Sequence, residues 1–214
     1  MLRKDPIVTN HTYHIFNRGV NKSEIFFEER DYQRFIQAVI HYKKSQRQFS
    51  HFRSGIGTIG TSSHDKSKVK ILSYCLLPNH FHFLIKQLED GGITWYMQRL
   101  ANSYAHYVNT KYKRVGPLFE GRFKNRLIET DEQLVHVSRY IHLNPLIANL
   151  ISRLNDYKWS SYTSLVNGLG DEIVEPGEIL GHFKSGEDYD KFILAQVDYA
   201  RELDRIKHVT IDMK

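Results

Sequence analysis

One stretch of the chain, residues 74–85, restricts the possible folds more than any other. It reads Tyr-Cys-Leu-Leu-Pro-Asn-His-Phe-His-Phe-Leu-Ile, which is two apolar runs joined by a Pro-Asn pair. Such runs are typical of β-strands, and proline followed by asparagine is typical of a tight turn. The stretch therefore predicts two neighbouring strands, the first over residues 69–77 and the second beginning at about residue 80.

The second of these strands carries His80 and His82. Because side chains alternate faces along a strand, both imidazoles point to one face, while Phe81, Phe83 and Ile85 point to the other. Two imidazoles on a rigid strand can hold a divalent metal. The same spacing also fits two solvent-facing polar residues of an amphipathic strand, because His-x-His is a short pattern that recurs by chance.

Composition excludes several classes of protein. With 214 residues and 41% hydrophobic content, the chain suits one domain of ordinary size or one domain with an appendage. Apolar runs fall short of the ~20 residues of a membrane span, and the N-terminus lacks a signal-peptide core, so we expect no membrane association. The single cysteine, Cys75, fits a reducing compartment. The net charge of +6 and the pI near 9.2 favour a polyanionic partner.

Apolar residues recur at helical or strand spacing through most of the remaining chain. The predicted elements are strand 12–18, helix 31–46, helix 93–112, strand 122–129 and helix 131–144. Thr130, followed by Gln133, matches the capping-box pattern, and Pro145 disfavours helical geometry in the residue before it. Residues 47–68 show little periodicity and predict a surface loop.

The order of these elements is β-α-β-β-α-β followed by one more helix, which is the arrangement of the ferredoxin-like split βαβ fold. We therefore predict an α+β protein with an antiparallel sheet covered by helices on one side and with one added helix after the fourth strand. The first and third strands are neighbours at the centre of such a sheet. His14 and Arg18 should then lie near His80 and His82 on the open face.

The end of the chain predicts a helical extension. Residues 151–214 include a helical stretch from about residue 187 to residue 207, but they have few apolar residues for a core of their own. We therefore divide the chain into a main domain over residues 1–150 and a C-terminal helical extension over residues 151–214.

The predicted helix over residues 131–144 carries Tyr140 and Asn144, which stand one turn apart on the same face. A tyrosine hydroxyl can act as a covalent nucleophile, and an amide oxygen can complete the coordination of a metal held by two imidazoles. Each residue is also ordinary in isolation, as a half-buried helix aromatic and as a residue before a proline.

Residues 111–126 form a basic stretch with interleaved aromatic residues. It contains three lysines and three arginines against one glutamate, which suits phosphate contacts combined with base stacking. A solvated charged loop is the alternative. The candidate nucleic-acid contacts are Arg18, Lys111, Lys113, Arg114, Arg122, Lys124 and Arg126.

Five motifs in collinear order resemble a known group of enzymes. Residues 74–82 resemble the HUH signature of single-tyrosine transposases, in which U is a bulky apolar residue, here Phe81. Four further motifs are similar to those of the REP-associated tyrosine transposases, which belong to the insertion-sequence-type branch of that superfamily. These are Tyr-His-Ile-Phe-Asn-Arg-Gly (13–19), Gly-Pro-Leu-Phe-Glu-Gly-Arg-Phe-Lys (116–124), Tyr-Ile-His-Leu-Asn-Pro-Leu (140–146) and Trp-Ser-Ser-Tyr (159–162). The resemblance covers about residues 10–165.

The resemblance implies an enzyme that nicks and rejoins single-stranded DNA with hairpin structure. By position, His80 and His82 would hold a divalent metal, Mg²⁺ or Mn²⁺, and Tyr140 would be the nucleophile that forms a 5′-phosphotyrosine. Asn144 would be the third ligand, although many relatives have the longer glutamine there. The resemblance also implies a cytoplasmic, nucleoid-associated prokaryotic protein, and it leaves a homodimer open.

Two other functions are compatible with the same residues. The first is a domesticated relative that binds hairpin DNA or RNA through its basic surface and does not cleave. The second is a small metallohydrolase unrelated to nucleic acids, in which Glu120 or His14 would have to serve as the general base. The metallohydrolase leaves the basic stretch unexplained.

Overall fold

The computed structural model describes residues 6–44 and 66–197. The strands are β1 (Thr12–Arg18), β2 (Val69–Leu77), β3 (His80–Gln87) and β4 (Lys124–Ile128). The helices are α1 (Glu29–Lys44), α2 (Gly92–Lys111), α3 (Asp131–Ile147), α4 (Tyr162–Val166), α5 (Gly177–Leu180) and α6 (Gly186–Leu194), with short 3-10 turns at Val20–Lys22 and Leu154–Asp156. Most of the predicted surface loop and the end of the predicted helix over 187–207 lie outside the described residues. None of the helices described is long and apolar enough to cross a membrane.

The four strands form one antiparallel sheet in the order β2-β3-β1-β4. The first and third strands are therefore neighbours at its centre, and the prediction of an α+β fold with an antiparallel sheet is confirmed. In the register between them, Arg18 lies opposite His80 and Phe16 lies opposite His82. These four residues consequently share one face of the sheet.

The other face of the sheet carries most of the apolar core. Along β1, burial alternates strictly, so that Tyr13 and Ile15 are buried while the residues between them are partly exposed. The ring of Phe35 on α1 lies 5.5 Å from that of Phe81 and 6.3 Å from that of Phe83, centroid to centroid. Helices α1 and α2 therefore cover the face opposite the two histidines.

Helix α3 packs on the histidine-bearing face, mainly against β2. The first bond of the predicted capping box is present, since the Thr130 side chain accepts a hydrogen bond from the Gln133 amide. The Gln133 side chain accepts from the amide of Glu129, one residue before the cap, rather than from that of Thr130. The predicted end at Asn144 is wrong, since the helix continues to Ile147. Because Pro145 lies near the end of the helix, its missing N–H removes only one backbone hydrogen bond. Its buried ring packs the last turn against the domain.

Residues 151–197 run along the outer edge of β2. The Leu76 amide donates to the Trp159 carbonyl at 2.9 Å, and the Glu175 amide donates to the Ile71 carbonyl at 2.8 Å. These contacts cover a strand edge that would otherwise expose unpaired backbone groups. The predicted helical character of this segment is present in α4, α5 and α6, and the division of the chain at residue 150 stays a prediction.

A buried polar network joins α3 to the C-terminal segment. His142 Nδ1 lies 2.8 Å from the Tyr189 hydroxyl, and His142 Nε2 lies 2.8 Å from the Ser161 hydroxyl. Ser161 also accepts a hydrogen bond from the Tyr74 amide of β2, and Tyr189 donates to Ser138 of α3. Because every member is buried and bonded, the network fixes α3 relative to β2 and α6.

Candidate active site

His80 and His82 project from the same face of β3, as their spacing predicts. Their rings are perpendicular, with centroids 4.9 Å apart. His82 is only 5% exposed and His80 is partly exposed. The pair thus lies at the floor of the open face, with one ring sheltered and the other closer to solvent.

His14 on the neighbouring strand β1 contacts the sheltered ring directly. Its Nε2 lies 2.9 Å from Nδ1 of His82, and the ring centroids are 5.0 Å apart. The other nitrogen of His82, Nε2, is buried and has no hydrogen-bond partner among the described residues. A buried nitrogen in this condition marks a position where a ligand or ion could complete the bonding.

Asn79 contacts the second ring in a comparable way. Its Oδ1 lies 2.5 Å from Nδ1 of His80, and its Nδ2 donates to the Lys22 carbonyl at 3.1 Å. The Gly19 amide donates to the Asn79 carbonyl, and a side chain at Gly19 would come within 2.1 Å of the Ser23 carbonyl oxygen. Sequence reasoning treated Asn79 only as a turn residue, although a carboxamide directly before a candidate ligand was a usable signal.

Burial keeps the three imidazoles of this face neutral near pH 7. It lowers the pKa of His14 to about 4, and burial together with the Arg18 charge lowers the pKa of His80 to about 4. Burial and the two neighbouring histidines hold the pKa of His82 well below its ordinary value. Neutral imidazole is the form that binds metal ions.

The donor set fits a divalent metal in part. His82 Nε2 is unpaired and neutral, and His80 has its Nδ1 bonded to Asn79, which directs its Nε2 outward as a second nitrogen donor. In the part of the chain that the structure describes, no group of three or more His, Cys, Asp or Glu side chains is arranged to hold a metal. Among the described residues, a further ligand would therefore be an amide or a hydroxyl, with water or the substrate completing the set.

Asn144, the predicted third ligand, is turned towards its own helix. Its Nδ2 donates to the Tyr140 carbonyl at 2.7 Å. The amide oxygen Oδ1 is the atom through which it could coordinate a metal. The assignment of Asn144 as a ligand stays a prediction.

Helix α3 brings Tyr140 over the histidines. Its ring lies edge-on to His82 with centroids 5.5 Å apart, and edge-on to His14 at 5.9 Å. Tyr140 is nevertheless 42% exposed, although its ring contacts the buried His82. The arrangement combines an accessible phenol with neutral imidazoles on a fixed sheet.

The candidate DNA-contacting residues divide between two parts of the molecule. Lys124 and Arg126 are exposed on β4, opposite Phe16 and His14 in the register, and so they border the histidine face. Arg18 is on that face as well, where its Nε lies 3.1 Å from Glu120 Oε1. Arg122 is exposed just before β4.

The first half of the basic stretch lies on the helical layer instead. Lys111 Nζ lies 2.5 Å from both Glu28 Oε1 and the buried Asp31 Oδ1, so it joins α2 to the start of α1. Arg114 lies over the ring of Phe27 at 5.9 Å. Lys113 stands between them in a left-handed backbone conformation. The predicted basic stretch is therefore not one continuous surface.

Lowering the pH from 7.5 to 5.5 will reduce the free energy of unfolding. Burial lowers the pKa of His142 to about 3 from its ordinary 6.5, so below pH 6.5 the unfolded chain binds a proton that the folded chain does not. The contribution of His142 to the free energy of unfolding is fully present above pH 6.5 and is lost as the pH falls towards 3. His142 alone should contribute a loss of about 1.4 kcal/mol at pH 5.5.

Urea unfolding in EDTA at the two pH values measures this loss. His14 and His80 act in the same direction, because their pKa values are lowered to about 4. A His142→Gln variant should lose part of the pH dependence that the unmodified chain shows, because it removes the imidazole whose pKa burial lowers. A free energy of unfolding that is constant over this range would contradict the prediction.

Comparison with known proteins agrees with the motifs. The profile of the family described as IS200-like transposases matches residues 7–144, more than half of the chain. No curated protein sequence matches the chain. A solved structure of a REP-associated tyrosine transposase bound to a REP hairpin has a TM-score of 0.58 and 16% identity, covering 82% of this chain and 91% of that chain. At that identity the likeness shows a shared fold. The resemblance drawn from the motifs is thus confirmed, and the chain belongs to the IS200-like transposase family.

Proposed function

We propose that this chain is a metal-dependent endonuclease and strand transferase for single-stranded DNA, with Tyr140 as its nucleophile. The observation that carries the proposal is the position of Tyr140, exposed to solvent yet edge-on to His82 and His14. A phenol that DNA can reach, beside imidazoles suited to a metal, is placed for covalent catalysis. Membership of a transposase family supports a DNA-processing function.

His80 and His82 would hold the divalent metal through the nitrogens that Asn79 and His14 leave unbonded. When bound, a divalent metal polarises a phosphoryl oxygen and orients the scissile phosphate. Two imidazoles completed by an amide and waters suit Mn²⁺ or Mg²⁺, whereas a set made only of nitrogen and sulfur would favour zinc. Asn144 is the candidate amide.

Tyr140 would attack the phosphorus of the bound strand. A bond forms between the phenolic oxygen and phosphorus, and the bond from phosphorus to the 3′-oxygen breaks. The phenolic proton is released and the departing 3′-oxygen takes one up, which leaves a 5′-phosphotyrosine and a 3′-hydroxyl. Because one phosphodiester replaces another, a 3′-hydroxyl can reverse the attack, and no nucleotide cofactor is needed.

The substrate we propose is a single strand with a hairpin. The related solved structure is that of a transposase bound to a REP hairpin, and the present chain shares its fold. Exposed cations border the histidine face where a scissile strand would lie, namely Lys124 and Arg126 on β4 with Arg122 just before it. Lys113 and Arg114 would contact only DNA that extends to the helical layer, and Lys111 is already held by Glu28 and Asp31.

Replacing Lys124 or Arg126 with alanine should weaken hairpin binding uniformly across sequences. Each lost phosphate contact should reduce the slope of log K against log salt by roughly 1. Fluorescence anisotropy with a labelled hairpin over roughly 50 to 200 mM salt measures the slope. Lys191→Ala on α6, an exposed lysine paired with Glu187, is the matched control. Equal slopes for all three variants would contradict the proposed surface.

The proposed chemistry is tested by incubating the purified chain with a labelled hairpin strand in Mn²⁺, in Mg²⁺ or in EDTA. A 3′-labelled strand should give a covalent protein–DNA band that requires the metal, whereas a 5′-labelled strand should give a free fragment ending in a 3′-hydroxyl. Peptide mapping should locate the adduct at Tyr140. A reversed labelling pattern, or cleavage that persists in EDTA, would sink the proposal.

A non-cleaving hairpin-binding protein is the second candidate. The bond between the Asn144 amide and the Tyr140 carbonyl favours it, because the predicted third ligand is held against its own helix. Salt-sensitive hairpin binding without any covalent band would identify this case. The metallohydrolase is less well supported, since both of its candidate bases are already engaged, Glu120 with Arg18 and His14 with His82.

A further inference from the structure

We infer that His14 is a positioning residue that fixes the tautomer and the ring orientation of His82. The inference rests on the proposed function in that it assigns His82 to the metal. It adds that His14, on the neighbouring strand, keeps Nε2 of His82 unprotonated and able to coordinate before a metal binds.

The hydrogen bond between the two rings sets where the proton of His82 lies. His14 Nε2 and His82 Nδ1 are 2.9 Å apart, so one of these nitrogens donates and the other accepts. Nε2 of His82 is buried without a partner among the described residues. A proton on that nitrogen would be a buried donor with no acceptor, which is unfavourable. The proton is better placed on Nδ1, donated to His14, and this leaves a lone pair on Nε2.

The position of His14 is itself fixed. It lies on β1 diagonally across from His82, because Phe16, two residues further along β1, is the direct partner of His82 in the ladder. The His14 ring is held between Phe16, at a centroid distance of 4.9 Å, and Tyr140, at 5.9 Å. Because the His14 side chain contacts two neighbouring rings and extends from a central strand, it can keep His82 in one orientation.

The same device occurs at the other histidine. Asn79 contacts Nδ1 of His80 and leaves its Nε2 available. Each ring of the pair therefore has one partner on Nδ1, supplied by a residue to which the proposed function gives no role as a metal ligand. Partners of this kind typically raise metal affinity 10- to 100-fold, because they fix the ring and its tautomer.

Two variants test the inference. His14→Leu removes the acceptor, whereas His14→Gln replaces the imidazole with an amide whose oxygen can accept from His82 Nδ1. Nitrogen-15 NMR of labelled histidine, without metal or DNA, should show the Nδ1–H tautomer of His82 in the unmodified chain and in His14→Gln, and a mixture of tautomers in His14→Leu. Calorimetry with Mn²⁺ alone should show affinity reduced about 10- to 100-fold in His14→Leu and largely retained in His14→Gln.

The outcomes separate this inference from the proposed function. An Nε2–H tautomer of His82 in the unmodified chain overturns the inference, and that measurement needs no variant to fold. Loss of Mn²⁺ binding in both His14 variants, to the extent seen in His80→Ala, overturns it too, because His14 would then be a ligand. If the unmodified chain binds no Mn²⁺, the proposed function fails, and the tautomer comparison still decides the role of His14.

Discussion

A Tyr140→Phe variant will form no covalent adduct with hairpin DNA, and its strand cleavage will fall by at least roughly 10³-fold. The substitution removes one oxygen from an exposed side chain and keeps the ring that lies against His82 and His14. No other group in the proposed reaction can form the tyrosyl phosphodiester. Hairpin binding should change by less than about twofold, because binding depends on cations rather than on this hydroxyl.

Tyr112→Phe is a matched control for this experiment. Its hydroxyl donates to Asp31 on the helical layer, away from the histidine face. The control should therefore lose about 1 kcal/mol of stability and none of the adduct. A gel assay with 3′-labelled hairpin strand in Mn²⁺ reports both variants. An adduct that survives in Tyr140→Phe would show that another residue is the nucleophile.

The architecture of the sheet could be predicted because it is encoded locally. Alternation of apolar residues and the Pro78-Asn79 turn predicted β1 and β2 with the bounds that the structure has, which are Thr12–Arg18 and Val69–Leu77. The end of α3 could not be predicted in the same way. The local preference of the residue before Pro145 argues for a stop, whereas the burial of Leu146 against the domain favours one more turn, and that burial is a tertiary effect.

The candidate site could be predicted only in part for a similar reason. Strand periodicity placed His80 and His82 on one face, and the strand order brought His14 towards them. Tyr140 could be predicted as a site residue only from its motif. No local pattern indicates that a residue on a helix will lie over His82, which is 58 positions earlier in the sequence. The contact between His14 and His82 spans 68 positions, and its geometry follows from packing rather than from spacing.

A His142→Ala variant should lose about 2–4 kcal/mol of stability and much of its cleavage activity. His142 is fully buried and contacts Tyr189 and Ser161, so its removal leaves a cavity and deprives two hydroxyls of a partner. Tyr140 is two residues away on the same helix. Because this network ties α3 to β2 and α6, its loss should let the helix move relative to the histidines, and small displacements of a nucleophile reduce rates strongly.

Urea unfolding and single-turnover cleavage, both at pH 7.5, measure the two effects. Tyr189→Phe should give a smaller loss of about 1–2 kcal/mol, since it removes only the hydroxyl that bonds His142 and Ser138. His106→Ala on the exposed side of α2 should change neither quantity. If His142→Ala lowers stability while cleavage by the folded fraction stays at the unmodified rate, the network stabilises the fold without positioning Tyr140. A parallel fall in both quantities, graded from Tyr189→Phe to His142→Ala, is the expected result, because the same hydrogen bonds that stabilise the domain also hold the helix that carries the nucleophile.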